Sequence, residues 1–242
     1  MYALINGISY VAALLFVMFY GKKYGVSKFK SSLTMICGMI CFLFLLKFLA
    51  WAEGGFKSFG AENAIRAYVF LPLLIYGLSK LFKTELFATF DLLATGLSIG
   101  YGVGHYACIF AGCCHGFQYY EGTTMYKIAY ALTGTNMLPL QFLEATSAML
   151  IFAILLVFAK KMKYQTNGRL FCLWYVLFGS TRFMWEFLRD NKKVIVFTPL
   201  EQADGYFGLS SLAIWALLMV AAGVIVYWNI RIAERKKASA SL

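Results

Sequence analysis

The sequence predicts an all-α, polytopic membrane protein with about seven transmembrane helices, its amino terminus outside and its carboxyl terminus cytoplasmic. Three observations carry this prediction: 61% of the 242 residues are hydrophobic, only 14% are charged, and the apolar residues gather into runs of bilayer length. A soluble domain is nearer half apolar, with about a quarter of its residues charged, and needs that polar share to cover its surface. The mean hydropathy of +0.70 places this chain in lipid. Residues 1–242 read as a single transmembrane domain. The formal charge of +11 then points to an anionic membrane surface as the partner and not to nucleic acid.

The apolar segments run over 4–20, 33–52, 67–83, 87–112, 138–159, 169–188 and 206–230, each close to the ~20 residues that a hydrocarbon core requires. The third is short and holds Pro72, and the sixth is interrupted by charge. No cleavable signal peptide is expected, because the first run ends at Lys22-Lys23 without a small-residue cleavage site. Basic residues cluster on alternate loops: Lys22, Lys23, Lys28 and Lys30; Lys80 and Lys83; Lys160, Lys161, Lys163 and Arg169; Arg231, Arg235, Lys236 and Lys237. The loop around Glu53–Arg66, the loop 117–137 and the stretch 190–205 are poorer in Lys and Arg. Positive loops stay cytoplasmic, which sets the orientation. The tail "KKASASL" reads as frayed.

An ionised side chain at the bilayer centre costs about 2.5–3.5 kcal/mol on insertion scales. Lys47, Asp91, His105, Glu144, Arg182, Glu186 and Arg189, within or at the edge of spans, are therefore singled out. In "STRFMWEFLRD", Arg182, Glu186 and Arg189 follow i, i+4, i+7 spacing and share one helical face. A self-neutralising stripe is one reading. The favoured one commits a single arginine to Glu186 and leaves the other to bind an anion, since a guanidinium fork suits the phosphate of a lipid headgroup. Glu144 is expected to pair with Arg182 or Arg189, Asp91 to be a structural hydrogen-bonding partner near the inner face, and Lys47 to snorkel. Gly96, Gly100 and Gly104 form a small-residue face for close helix packing, and the glycine-rich run predicts a locally loosened helix lining a cavity.

The stretch "GHYACIFAGCCHGF", residues 104–117, concentrates two histidines and three cysteines. A metal site would draw on His105, Cys108, Cys113, Cys114 and His115, since zinc takes Cys and His in tetrahedral sets, but the spacing fits no standard pattern. A redox pair would need a strained vicinal disulfide, because C-x-x-C is absent. The favoured reading is a tight glycine-bounded turn at a cavity floor, with cysteines as small apolar packing and His105 or His115 as donor or base. Neither a metal nor a cofactor is expected.

These residues resemble a known family, the bacterial prolipoprotein diacylglyceryl transferases. "GHYACIFAGCCHG" is similar in spacing to the family signature G-R-x-G-N-F-x-x-G-E-x-x-G, aligning Gly104, Cys108, Gly112 and Gly116. The family's aspartate falls on Asp91, and its P-x-Q-L-Y-E resembles "PLQFLEA", with Pro139, Gln141 and Glu144. "GSTRFMWEFLR" resembles G-x-x-R-F-x-x-E-F-x-R almost letter for letter, through Gly179, Arg182, Phe183, Glu186, Phe187 and Arg189. The last span's S-M-G-Q is weakly echoed by "GLSSLAI". The resemblance is strongest over residues 85–230. Two positions depart: His105 stands where the family has arginine and Cys108 where it has asparagine, and the family's His-Gly-Gly segment is absent from "LPLLIYGLSK".

The resemblance implies transfer of a diacylglyceryl group from phosphatidylglycerol to the cysteine thiol of a lipobox-containing secreted precursor, with glycerol-1-phosphate leaving. It implies a site near the outer leaflet of the bacterial inner membrane. His105, His115 and Arg182 would be catalytic. Arg182, Glu186, Arg189, Glu144, Gln141, Cys108, Gly104, Gly116 and Asp91 would contact the substrate. Two other readings stay open at this level: a carrier for a lipid or anionic solute, and a thiol or metal membrane protein.

Overall fold

The computed structural model describes residues 1–53, 64–119, 121–189, 194–196 and 209–240. Most of the loop around Glu53–Arg66, most of the stretch 190–205 and the start of the seventh apolar run lie outside the described residues. Eight α-helices are described: α1 (Tyr2–Tyr20), α2 (Lys28–Glu53), α3 (Ala64–Phe82), α4 (Leu86–Ala111), α5 (Thr124–Thr133), α6 (Leu140–Lys161), α7 (Arg169–Glu186) and α8 (Ser211–Ala240). A short antiparallel pairing joins β1 (Val194–Val196) to β2 (Leu209–Ser210).

Every expected apolar segment contributes a helix, and six are long and apolar enough to cross a membrane. The seventh, α7, is 18 residues long and carries Arg169, Arg182 and Glu186, too much charge for a lipid-facing span. It can sit at membrane depth because its sequence is spent inward. Trp174, Tyr175 and Phe178 are buried in the core, the Trp174 and Phe178 rings meeting Tyr68 of α3 edge-on, and Tyr175 donates from its hydroxyl to the Tyr68 carbonyl at 2.5 Å. The outer surface is as apolar as the core: Phe44 is 74% exposed and Leu73 70%. In water such patches would drive aggregation, whereas in hydrocarbon they are at rest. The chain is a multi-pass membrane protein.

The bundle is organised around α4, which packs against α1, α3, α6 and α7. Half of its span is buried, against 11% for α2. The small-residue face explains the packing against α1: a methyl group added at Gly100 would lie 3.0 Å from the Ala13 Cβ, and one at Gly96 2.9 Å from Val17 Cγ2. Gly102 serves the opposite neighbour, its missing side chain leaving room for Met149 of α6. The expected loosening does not occur. α4 is an unbroken helix of 26 residues, because each glycine is clamped by a neighbouring helix that replaces the stiffness its own side chain would have given.

The loops rich in Lys and Arg meet at one end of the bundle. Lys30 Nζ donates to the Lys83 carbonyl at 3.0 Å, Lys23 lies over the Tyr164 ring at 5.5 Å, and Arg169 pairs with Glu234 at 2.6 Å. That last contact also corrects the reading of the tail as frayed. α8 continues to Ala240, since Glu234 anchors its polar extension to Arg169 and, at 3.9 Å, to Arg231. The loop 117–137 contains α5, which the sequence reading missed. Thr123 caps its start by accepting from the Tyr126 amide at 3.1 Å, and Gly134, at φ +69°, ends it.

Candidate active site

At the end of the bundle opposite the basic loops, four segments bring their charges to one carboxylate. Glu144, on the second turn of α6, is fully buried. Its Oε2 accepts from the Tyr101 hydroxyl at 3.0 Å and lies 2.6 Å from His105 Nε2, both residues being on α4. Its Oε1 pairs with Arg182 Nη1 of α7 at 2.5 Å and with Arg189 Nη2, just beyond α7. Glu186 is held more loosely, its Oε2 lying 3.9 Å from Arg182 Nη2 and 3.5 Å from Arg189 Nε. Its Oε1 accepts from Ser210 Oγ at 2.8 Å. Two carboxylates thus face two guanidiniums and an imidazole, so the cluster is electrically neutral when His105 is neutral. Neutrality is what makes so much charge tolerable at this depth.

This geometry corrects the expectation of one committed and one spare arginine. Both guanidiniums share both carboxylates, with Glu144 as the hub. Helical spacing does set Arg182 and Glu186 on one face, but α6 packs against α7 and supplies a carboxylate at far shorter range. Arg182 retains only 7% exposure, so it is not an open guanidinium beside the lipid. The pairing expected for Glu144 is present.

Beside the cluster lies a cavity of about 240 Å³ between α1, α2, α3 and α4. Its walls are apolar from Leu78 and Leu93 upward and turn polar at Tyr2, Asn6, His105 and Cys108. Along α4, Leu93 to Cys108 corresponds to about 22 Å at 1.5 Å per residue, the scale of an acyl chain. Arg182 does not line this cavity; it meets the wall through Glu144, which bridges it to His105. The His105 ring is fixed by stacking on Tyr101, with centroids 4.8 Å apart.

A tight turn follows α4, as the glycine-bounded reading expects. Gly112, at φ +63°, terminates the helix, and the Cys113 amide donates back to the Cys108 carbonyl at 3.2 Å. Cys113 Sγ turns to that same carbonyl at 3.9 Å. Cys114, at φ +61°, folds its sulfur back to accept from the Cys108 thiol. That hydrogen bond, with His105 and the Arg189 guanidinium nearby, draws the Cys114 thiol down to about 5. One ring nitrogen of His105 and the sulfurs of Cys108 and Cys114 lie within 4.8 Å of one another, the one such metal-ligand cluster among the described residues. Gly116 is stitched between two strands of chain: its amide donates to the Leu138 carbonyl at 2.9 Å, and the Phe117 amide donates to the Leu188 carbonyl at 3.0 Å. A methyl at position 116 would lie 2.8 Å from Leu138 Cδ2. This close approach carries Arg189 toward Glu144.

The other singled-out residues divide. Gly104 lies on the cavity wall against Ser9, where a methyl would meet its Oγ at 3.1 Å. Gln141 is buried one turn before Glu144, and its Oε1 has no donor among the described residues. His115 faces the Gly116 carbonyl at 3.4 Å and is not part of the cavity wall. Asp91 is at the other end of α4. Its oxygens accept from Thr166 Oγ1, from the Gly168 amide at 2.8 Å and from the Phe171 amide at 2.8 Å. It caps the start of α7 and so fills the structural role read for it, away from the cavity's polar end. Tyr101 and Ser210 were missed. Tyr101 sits one turn before His105, a spacing that could have named it, and Ser210 lies in the "GLSSLAI" echo.

The family model for prolipoprotein diacylglyceryl transferase matches residues 1–229. Among curated relatives, a phosphatidylglycerol–prolipoprotein diacylglyceryl transferase of Clostridium tetani (strain Massachusetts / E88) is 25% identical over 143 residues, 57% of this chain and 53% of the relative. A second, numbered 2, from Clostridium perfringens (strain 13 / Type A) is 26% identical over 152 residues, 61% of this chain and 53% of the relative. One from Dehalococcoides mccartyi (strain ATCC BAA-2266 / KCTC 15142 / 195) is 29% identical over 117 residues, 47% and 44% of the two chains. The chain spans about half the length of the curated relatives it matches. The apolar bundle, the arginine-bearing α7 and the match over residues 1–229 together place this chain in the prolipoprotein diacylglyceryl transferase family.

Proposed function

We propose that the protein moves a diacylglyceryl group from phosphatidylglycerol to the cysteine thiol of a lipobox-containing precursor, at a site near the outer leaflet of a bacterial plasma membrane. The observation that carries this reading is the junction between an elongated apolar cavity and a neutral cluster of five ionisable side chains. A lipid substrate needs both: a trough for acyl chains and, at its end, groups that answer a phosphate. The names of the curated relatives supply the reaction.

In this reading the acceptor sulfur attacks the glyceryl carbon that bears the phosphate ester. An S–C bond forms, the C–O bond breaks, and its electron pair leaves with glycerol-1-phosphate. The departing phosphate gains negative charge, and preorganised cations stabilise that change. Arg189, at 15% exposure, is the more open guanidinium, and the long contacts of both arginines to Glu186 are the ones a phosphate replaces. Glu144 keeps both arginines aimed and holds His105 at the wall. His105, where the acceptor arrives, takes the thiol's proton as the sulfur attacks. Cys108, Gly104 and Gln141 border the lipid, Gly116 positions Arg189, and Asp91 acts through the placement of α7.

The test is transfer from labelled phosphatidylglycerol to a lipobox peptide by the full chain in nanodiscs. Arg182→Ala and Arg189→Ala are expected to lower turnover by about 10²-fold or more, the usual cost of removing a group that stabilises developing charge. Full turnover in both variants removes the arginines from the mechanism. A wild-type protein that leaves the lipid intact overturns the transferase reading.

A further inference from the structure

We propose that His105, Cys108 and Cys114 bind a thiophilic metal ion such as Zn²⁺, with a fourth coordination position open toward the cavity for the acceptor's thiolate. The second half of this proposal rests on the transferase reading above; the first half does not.

The donor set is assembled by the fold. His105 and Cys108 are three residues apart on α4 and share a face, the one that borders the cavity. Cys114 is returned to them by the left-handed turn at Gly112. Its own φ of +61° is a left-handed conformation that strains a non-glycine residue. The three ligand atoms lie within 4.8 Å of one another. A filled zinc tetrahedron brings sulfurs to about 3.7 Å, so the site closes by at most about 1 Å on binding. Cys113 is not among the three atoms that lie together, and its sulfur is turned to the Cys108 carbonyl at 3.9 Å. The set therefore has three protein ligands, the count that leaves a metal able to take up a substrate.

Two further features fit a metal. A ligating histidine ordinarily has its other nitrogen held by a carboxylate, which fixes the ring and raises its basicity. Glu144 Oε2 stands 2.6 Å from His105 Nε2, leaving Nδ1 to face the ion, and Tyr101 stacks on the ring. Charge also closes: a dication with two thiolates and a neutral imidazole is neutral, which an apolar surround permits. An acceptor thiolate would add one negative charge beside Arg189 and Arg182, which adjoin the same carboxylate. On binding, the acceptor thiol gives its proton to water and its sulfur lone pair to the metal. The sulfur then attacks the glyceryl carbon as the phosphate leaves, and the metal's oxidation state is unchanged. His105 in this scheme acts as ligand and not as free base.

The experiment measures metal content of the purified full chain after loading with Zn²⁺ and dialysis. About one ion per chain is expected for the wild type and for Cys113→Ser, with loss of at least half in Cys108→Ser and Cys114→Ser. Because a serine in this turn could disturb folding, wild-type protein loaded with Co²⁺ gives an independent readout, a thiolate-to-cobalt charge-transfer band in the near ultraviolet. A wild type that retains no ion, a Cys113→Ser variant that loses it, or a Cys108–Cys114 disulfide in protein purified without reductant overturns the site. Turnover that falls on chelation and returns with Zn²⁺ supports the open position; full turnover by metal-free protein overturns it while leaving the transferase reading intact. A zinc-loaded protein that never transfers diacylglyceryl defeats the transferase reading and leaves the metal site standing.

Discussion

Glu144 concentrates more of this molecule's electrostatics than any other residue among those described. Four side chains converge on its two oxygens: Tyr101, His105, Arg182 and Arg189. Glu186 has the same charge but meets its arginines at 3.5 and 3.9 Å and spends one oxygen on Ser210. Breaking a buried ion pair from one side costs about 3–5 kcal/mol, because the surviving charge is left in a poor medium. Glu144→Gln strands two guanidiniums at once, whereas Glu186→Gln leaves both with Glu144. Thermal melting in one detergent is therefore expected to rank Glu144→Gln well below Glu186→Gln, with Glu186→Gln close to the wild type. Equal losses would mean that Glu144 is one member of a diffuse network and not its hub. The sequence made the members of this cluster visible, since charge inside an apolar run stands out. It did not make the allocation of partners visible. Spacing along one helix reports local pairs such as Arg182 with Glu186, while the pairing of Glu144 with both arginines exists only once α6 has packed on α7.

At the scale of elements, α4 works as a spindle with a different task at each end. Its first turns hold Asp91, which ties the start of α7 through three hydrogen bonds; its last turns hold Tyr101, His105 and Cys108 against the cavity. An aspartate acting through α7 has a distinct signature from one that touches substrate. Asp91→Ala leaves the Gly168 and Phe171 amides buried without an acceptor, at about 1–3 kcal/mol for each. The expected result is a clearly lowered melting temperature with turnover per folded molecule and KM for phosphatidylglycerol little changed. A raised KM at unchanged stability would instead put Asp91 in contact with lipid. Element existence was legible from hydropathy, and so were the glycine-bounded turn after α4 and the small-residue face at Gly96, Gly100 and Gly104. Three features were not. α5 is short and lies in a polar loop, so no long periodicity announces it. The β1–β2 pairing joins residues far apart in sequence. The continuity of α4 through its glycines depends on helices that the sequence alone does not place alongside it.

At the scale of the whole molecule, the separation of charge from end to end is the feature that sets its place in a membrane. Lys23, Lys30, Lys83 and Arg169 come from three different loops and meet at one end, while the cluster around Glu144 occupies the other. The ladder of basic loops was readable from the sequence, and the fold brings those loops together. Which end faces the cytoplasm follows from a rule about insertion: loops rich in Lys and Arg are retained inside. Applied here, the rule would leave the carboxyl end of α8, with Arg231, Arg235 and Lys236, in the cytoplasm and would turn the cavity's polar end outward. Such an arrangement would let the acceptor meet the site after export, and would place the arginines at the headgroup level of the outer leaflet. A fluorescent protein that matures only in the cytoplasm, fused after residue 242, is expected to fluoresce, and alkaline phosphatase fused there to stay inactive. Fused before Tyr2, the two reporters should exchange behaviour, because seven apolar segments put the ends on opposite faces. Active phosphatase at the carboxyl end would invert the molecule, and the site would then face the cytoplasmic leaflet, where no exported thiol could reach it.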